Sequence, residues 1–450
     1  MARPIRVGIL GHVGNENLGD ESIIAAVIQN VRRHWPDAEI NGFTLVPEDT
    51  EERHGIRSFP IRAGTRHLAV ASTNSTEESP DPQQPTEASL LSRTKELVKR
   101  IPILSTAARG VVETVELLPE IAREVGFLRE SRRRIEGLDL LIFAGSHQLN
   151  DFVGGAWAYP YTVLKWARLA SRAGAKVVFL SLGAGPIETR LGRRFLRRAL
   201  QLASYRSYRD ESGKQVVDTL QGFETDRVVP DLAFSLDSPV VAREPARSGE
   251  RTVVGINPLP LYADYWYITD QAKYEAYVGK LARFADWLVE RDCEVRFIPT
   301  QLKVDPAVID DVRARMTTNG RPEYEKCIFQ PEICSLEDLR SELAGLDLMV
   351  ATRYHGILLS LALQKPVLAL AYHDKSRDLM NWLGQGDYVI EGDTFTVEAL
   401  IERFPSLERE RESIAKALGQ QLLGFRSAVR AQYDEVFQLV ELGSETATIR

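Results

Sequence analysis

Short, unbroken apolar runs alternate along this chain with longer stretches in which apolar residues recur every three or four positions. Runs at 6–10, 138–144, 176–182, 252–257, 294–299, 346–352 and 366–371 predict strands buried on both faces, as in a parallel sheet. Segments 39–46 and 205–210 add two more. Between the strands, 21–34, 161–173, 190–203, 211–220, 274–291, 335–344 and 357–363 carry the helical period. Residues 400–440 predict a long final helix, with Ile414, Leu418, Leu422, Phe425, Val429, Tyr433 and Val436 along one face. Strand–helix–strand units in both halves indicate an α/β fold of two Rossmann-like domains facing across a cleft.

The pattern breaks twice. A Ser-, Pro- and Glu-rich stretch at 72–89 followed by helical pattern at 90–134 reads as an insertion over about 66–135, partly disordered and partly helical. A proline-bearing stretch at 237–249 reads as a linker. The expected organisation is an N-terminal α/β domain at 1–236, a C-terminal α/β domain at 250–425, and a helix at 426–450 packing back on the first.

The length of 450 residues suits two cores, and 44% hydrophobic with 26% charged residues is ordinary for globular chains. A net charge of −7 argues against nucleic acid as the main partner. Arg193, Arg194, Arg197 and Arg198 interleave with Leu191, Phe195, Leu196 and Leu200, the pattern of a helix with one wet face. Cys293, Cys327 and Cys334 lack CxxC spacing, so neither a disulfide framework nor a structural zinc site is expected. The absence of a signal-like start or an apolar run of about 18 residues predicts a soluble, cytoplasmic protein.

Candidate chemistry collects where strands hand over to helices, the edge at which open α/β sheets bind ligands. Arg353-Tyr354-His355-Gly356 sets a guanidinium suited to phosphate or carboxylate beside an imidazole that titrates near neutrality. Arg209-Asp210, Asp231, His147, His373 and Lys375 occupy other strand ends. Arg209 reads equally as an anion clamp or a structural ion pair, and His147 equally as a cleft residue or a structural one. The first loop, with Gly11, Gly14, Asn17 and Gly19, feeds a helix for which Asp20 is the expected N-cap. That loop suits either an anion on its N–H groups or a tight connection. No Walker loop, GxSxG, HExxH, DxD or clean dinucleotide fingerprint appears. Cationic and imidazole groups without paired carboxylates indicate an anionic substrate whose reaction needs one positioned proton.

Taken in order, these stations resemble the polysaccharide pyruvyl transferase family. The family's first loop reads Gly-x-x-Gly-x-x-Asn-x-Gly-Asp-Glu, and Gly11 to Glu21 matches it. Ser181-Leu-Gly-Ala-Gly-Pro186, Ser207-Tyr-Arg209-Asp210-Glu-Ser212, Pro230-Asp231-Leu-Ala-Phe234, Arg353-Tyr-His355 and Tyr372-His-Asp-Lys375 follow in the family's order. The resemblance covers most of residues 5–385 outside the insertion. It implies a GT-B-like fold and phosphoenolpyruvate as donor, with no other cofactor and no metal. The implied reaction places a pyruvate ketal across two hydroxyls of a sugar in an oligosaccharide, polysaccharide or glycolipid and releases phosphate. In those terms His355 is the general acid, and His147 is the candidate base for ketal closure. Arg353, Arg209 and Lys375 clamp the donor, while Gly14, Asn17, Gly19 and Asp20 form the first-loop contacts. A lipid-linked acceptor would place the enzyme at the inner face of the membrane. The chain departs from the family at Gly145-Ser146-His147, where a run of glycines is usual, and in its long insertion. Both departures bear on the acceptor. The rivals are a nucleotide-sugar glycosyltransferase of the same fold, drawing on Glu398 or Glu402, and a non-catalytic glycan- or phosphate-binding relative.

Overall fold

The computed structural model describes residues 3–11, 14, 16–63, 122–152, 154–237, 251–264 and 268–448. Most of the expected insertion and nearly all of the expected linker lie outside them. The chain divides into two compact units. In the smaller, Arg62–Arg134, residues 122–134 are helical. The larger, Met1–Ile61 with Ile135–Arg450, holds both sheets.

The first sheet contains β1 (Arg6–Leu10), β2 (Glu39–Thr44), β3 (Arg57–Pro60), β4 (Leu140–Ala144), β5 (Lys176–Leu182), β6 (Tyr205–Tyr208) and β7 (Arg227–Val228), in the order β3-β2-β1-β4-β5-β6-β7. The second contains β8 (Val253–Asn257), β9 (Glu294–Phe297), β10 (Ile328–Phe329), β11 (Leu348–Ala351), β12 (Val367–Ala371) and β13 (Val389–Glu391), in the order β10-β9-β8-β11-β12-β13. The described strand pairs are parallel, and each sheet reverses its winding beside its first strand. β1 pairs β4 with Leu10 opposite Phe143, and β8 pairs β11 with Asn257 opposite Ala351. The loops leaving these strands therefore stand side by side at the switch points, where a ligand crevice forms. Strand β4, Leu-Leu-Ile-Phe-Ala, is buried at every position, as a strand covered on both faces requires.

The two carboxyl edges meet. Leu18 N–H donates to the Thr300 carbonyl at 2.9 Å, Leu302 N–H donates to the Glu16 carbonyl at 2.9 Å, and Asn17 bridges antiparallel to Gln301. Helix α1 (Leu18–His34) starts earlier than expected, and its N-cap is Asn17 rather than Asp20. Asn17 Oδ1 accepts from Gly19 N–H at 3.2 Å, and Asp20 instead receives Asn17 Nδ2 at 2.7 Å. Helix α2 (Pro47–His54) and strand β3 follow β2, in a stretch with too few apolar residues to announce either.

The remaining helices that frame the crevice are α3 (Tyr159–Arg172), α4 (Arg190–Leu200), α5 (Glu211–Asp218), α6 (Gln271–Glu290), α7 (Asp305–Arg315), α8 (Leu336–Ala344), α9 (Tyr354–Ala362) and α10 (Asp374–Trp382). The last, α11 (Val397–Thr448), runs 52 residues and serves both sheets. Early on, Phe404 stacks edge-on to Phe284 of α6 at 5.8 Å. Later, Phe425 meets Phe234 at 5.1 Å. Gln432 Oε1 then accepts a hydrogen bond from the Ser207 hydroxyl, and its Nε2 donates to Ser181 Oγ at 3.2 Å.

Candidate active site at the meeting of the two sheets

Arg209 follows β6 and is 3% exposed. Its Nε donates to Asp210 Oδ2 at 3.2 Å, and its Nη1 lies 3.5 Å from Asp231 Oδ2. Burial opposes its charge. The ionisable Tyr354 and the carboxylates of Asp210, Asp231 and Asp20 outweigh that and push its pKa up. Asp210 also caps α5 through Gly213 N–H at 2.6 Å, and Asp231 caps a 3-10 turn through Ala233 N–H at 3.0 Å. The structural ion pair and the candidate clamp are thus the same group.

Tyr354, from the second sheet, carries two cations. The Arg209 guanidinium carbon lies 4.6 Å and the Lys375 ammonium 5.5 Å from its ring centroid. With Asp231 these residues line a small cavity. Lys375 opens α10; burial and then Arg209 pull its pKa down to about 7. His355 is drawn well below the usual imidazole range by burial, then by Arg209, Lys375 and Arg353. His147 is drawn down by burial, then by Lys375, Arg209 and His373. Burial and Lys375 bring His373 to about 4. Asp20 moves the other way, to about 7, through burial and the adjacent Glu21. His355 Nε2 and His147 Nδ1 are buried with no hydrogen-bond partner among the described residues. Two imidazoles whose neutral forms are favoured, a guanidinium, and an ammonium whose charge is disfavoured, drawn from both sheets, therefore act on one another.

Glycines make this proximity possible. A Cβ on Gly19 would lie 2.1 Å from the His355 ring, one on Gly183 2.7 Å from Arg209 Nη2, and one on Gly185 2.3 Å from His147 Nε2. Gly19, Gly183 and Gly185 thus leave the room that His355, Arg209 and His147 occupy.

Two groups of expected site residues sit differently. Arg353 Nε donates to Asp305 Oδ1 at 2.8 Å, and its Nη2 bonds the same oxygen. Asp305 is fully buried and also accepts Thr300 and Gln301 N–H at 2.9 Å each. Arg353 thereby fixes the edge of the second sheet to the strip that pairs with Asn17. In the first loop, Gly14 N–H donates to Glu21 Oε1 at 3.2 Å, Leu18 N–H to Thr300 and Gly19 N–H to Asn17. These amides are committed to the protein, and Asn17 and Asp20 are engaged with each other. Glu398 pairs with Arg283 on the surface at 3.2 Å, and Glu402 is exposed. Neither joins the cationic group.

Sequence reasoning passed over Tyr354, which lies inside the Arg-Tyr-His motif, and Asn257, which ends β8. Asn257 Nδ2 donates to the Ile298 carbonyl at 2.7 Å, and its Oδ1 is buried without a partner among the described residues. A polar residue closing an apolar strand was the available signal. It also passed over the buried Glu21–His54 pair at 2.7 Å, whose members are too far apart in sequence to suggest each other.

The family profile for polysaccharide pyruvyl transferase matches residues 17–374. No curated protein matches the sequence. Among solved structures, the UDP-GlcNAc 2-epimerase from Methanocaldococcus jannaschii aligns with a TM-score of 0.52 at 13% identity, covering 90% of this chain and 93% of its own. A putative UDP-N-acetylglucosamine 2-epimerase from Listeria monocytogenes gives 0.51 at 12%, covering 96% and 98%. A glycosyltransferase from Rickettsia africae gives 0.51 at 9%, covering 98% and 99%. At such identities the likeness establishes the fold, a GT-B-like pair of Rossmann-type sheets. Among the described residues no helix is long and apolar enough to cross a membrane.

Proposed function

Because the chain belongs to the polysaccharide pyruvyl transferase family, we propose that it takes phosphoenolpyruvate as donor and builds a pyruvate ketal on two hydroxyls of a glycan acceptor, releasing phosphate. The observation that carries this reading is the convergence of Arg209 and Lys375 on the Tyr354 ring, near enough to His355 and His147 to help lower the pKa of both imidazoles. Phosphoenolpyruvate brings a phosphate and a carboxylate, and the two cations oppose that charge.

An acid must protonate the methylene carbon of the enol, which leaves C2 electron-poor. His355 takes this role. Burial first, and then the cations, keep its pKa low in the free protein; an anionic donor offsets the cations, so donor binding favours the protonated ring that the step needs. A sugar hydroxyl then adds to C2 and loses its proton, and phosphate departs with the C2–O bonding pair. A second hydroxyl adds to C2 and loses its proton in turn. His147, neutral in the free protein, accepts a hydroxyl proton. Arg353 acts at one remove, holding the start of α9 and hence the His355 ring.

The test is thermal unfolding with phosphoenolpyruvate, with UDP-GlcNAc as control. A ligand that binds only the folded state raises the midpoint. The reading expects a rise with phosphoenolpyruvate that is lost in Lys375→Ala, and phosphate release on adding a glycan acceptor. A rise with the nucleotide sugar alone would overturn it.

A further inference from the structure

Helix α4 carries five arginines among its eleven residues and no acid, in a chain of net charge −7. Arg190, Arg194 and Arg197 are exposed and have no hydrogen-bond or ion-pair partner among the described residues. Arg168 of α3 faces the same groove between the two helices. Apolar Leu191 and Phe195 line this groove, and large apolar side chains on the segment leading into α3 are exposed. Trp157 is 67% exposed, Phe152 49% and Leu191 37%. The Trp157 ring touches those of Tyr161 and Phe195, both at 5.4 Å.

Unpaired cations alone would suit any polyanion, and exposed aromatics alone would suit any apolar partner. Their combination, with tryptophan beside the groove, matches the headgroup layer of an anionic bilayer, where indole rings sit at the polar boundary and arginines meet lipid phosphate. We propose that the α3–α4 face docks on an anionic lipid surface. The rest of this acidic protein is repelled from such a surface, so docking through this patch fixes its orientation.

The face is built into the site's own loops. Phe152 and Trp157 lie on the segment that begins with His147. Asp151 Oδ1 accepts Glu188 N–H and its Oδ2 accepts Thr189 N–H, both at 2.8 Å, pinning that segment to the start of α4. Gly185, on the same β5–α4 connection, backs the His147 ring. Docking therefore brings the His147 side of the crevice next to the bilayer, where a lipid-borne acceptor would lie.

The experiment is co-sedimentation of the full chain with vesicles of phosphatidylcholine alone and of phosphatidylcholine with phosphatidylglycerol. Binding is expected only to the anionic vesicles. It should fall by about fivefold per arginine removed, at roughly 1 kcal/mol each, in Arg194→Ala and Arg197→Ala, and fall again at high salt. Trp157→Ala should weaken it at every salt concentration. Equal binding to both vesicle types would overturn the proposal, as would full binding by the double arginine variant. Retention on soluble heparin without vesicle binding would do the same and assign the patch to a polyanion. Vesicle binding requires neither phosphoenolpyruvate nor a sugar. Its failure therefore leaves the donor reading standing, and failure of the donor test leaves docking standing.

Discussion

Arg209 and the arginines of α4 lie on either side of β6 along the chain, yet their surroundings are opposite. Arg209 is sealed among Asp210, Asp231 and Tyr354, whereas Arg190, Arg194 and Arg197 stand in solvent with no partner among the described residues. The buried cation holds carboxylates that folding has stripped of water, so it serves the fold as well as any ligand. The exposed cations hold nothing among the described residues. Side-chain charge does not distinguish the two regions, and what each charge answers to does.

The sharpest way to break this contrast is to remove the buried member. Arg209→Leu leaves Asp210 and Asp231 uncompensated, and we expect a loss of about 3–5 kcal/mol in urea unfolding. An unchanged midpoint would mean that the carboxylates do not depend on it.

Gly19→Ala comes next. Its Cβ would press into the His355 ring, with an expected cost of about 1–3 kcal/mol and a collapse of turnover. Normal turnover would show that the His355 ring is free to move.

Lys375 gives an intermediate effect through pH. Its folded pKa of about 7 lies below the ordinary lysine value. Between those values the unfolded chain binds the extra proton, so this group makes stability rise with pH across the window. Lys375→Met should flatten that rise. Phosphoenolpyruvate affinity should fall as pH climbs through about 7 in the native protein, but not in Lys375→Arg, which stays charged. A parallel decline in both would remove Lys375 from donor binding. Smallest of all, Arg194→Leu should shift stability by no more than about 0.5 kcal/mol. A larger loss would reveal a partner within the protein and dissolve the contrast.

The parts of this molecule legible in its sequence are those where one physical demand dominates. Lys176–Leu182 is apolar enough to be buried on both faces, and it reads as the strand it forms, end to end. The stations at β1, β6, β11 and β12 are visible because glycine, arginine and histidine punctuate apolar runs. Pro47–His54 escaped because its stability comes from a proline start, a left-handed Gly55 and flanking charges rather than an apolar face. The choice between Asn17 and Asp20 as cap could not be read, since both residues cap well and only Thr300 and Gln301, from the other sheet, select Asn17. The Asp305 partner of Arg353 could not be read, because it lies 48 residues earlier and joins it only when β9 and β11 assemble on either side of β8. Pairings of that kind are products of topology.

Helix α11 reaches from Phe404 beside the second sheet to Gln432 beneath the first. A strand in either sheet can open fully only by loosening the same helix. In hydrogen-exchange terms, the amides of β5 and β12 should share one slow class, with protection near the global limit. Substitutions along the helix would then lower the protection of both sheets together, so the lifetime of the crevice, and not only its shape, is set by residues far outside it.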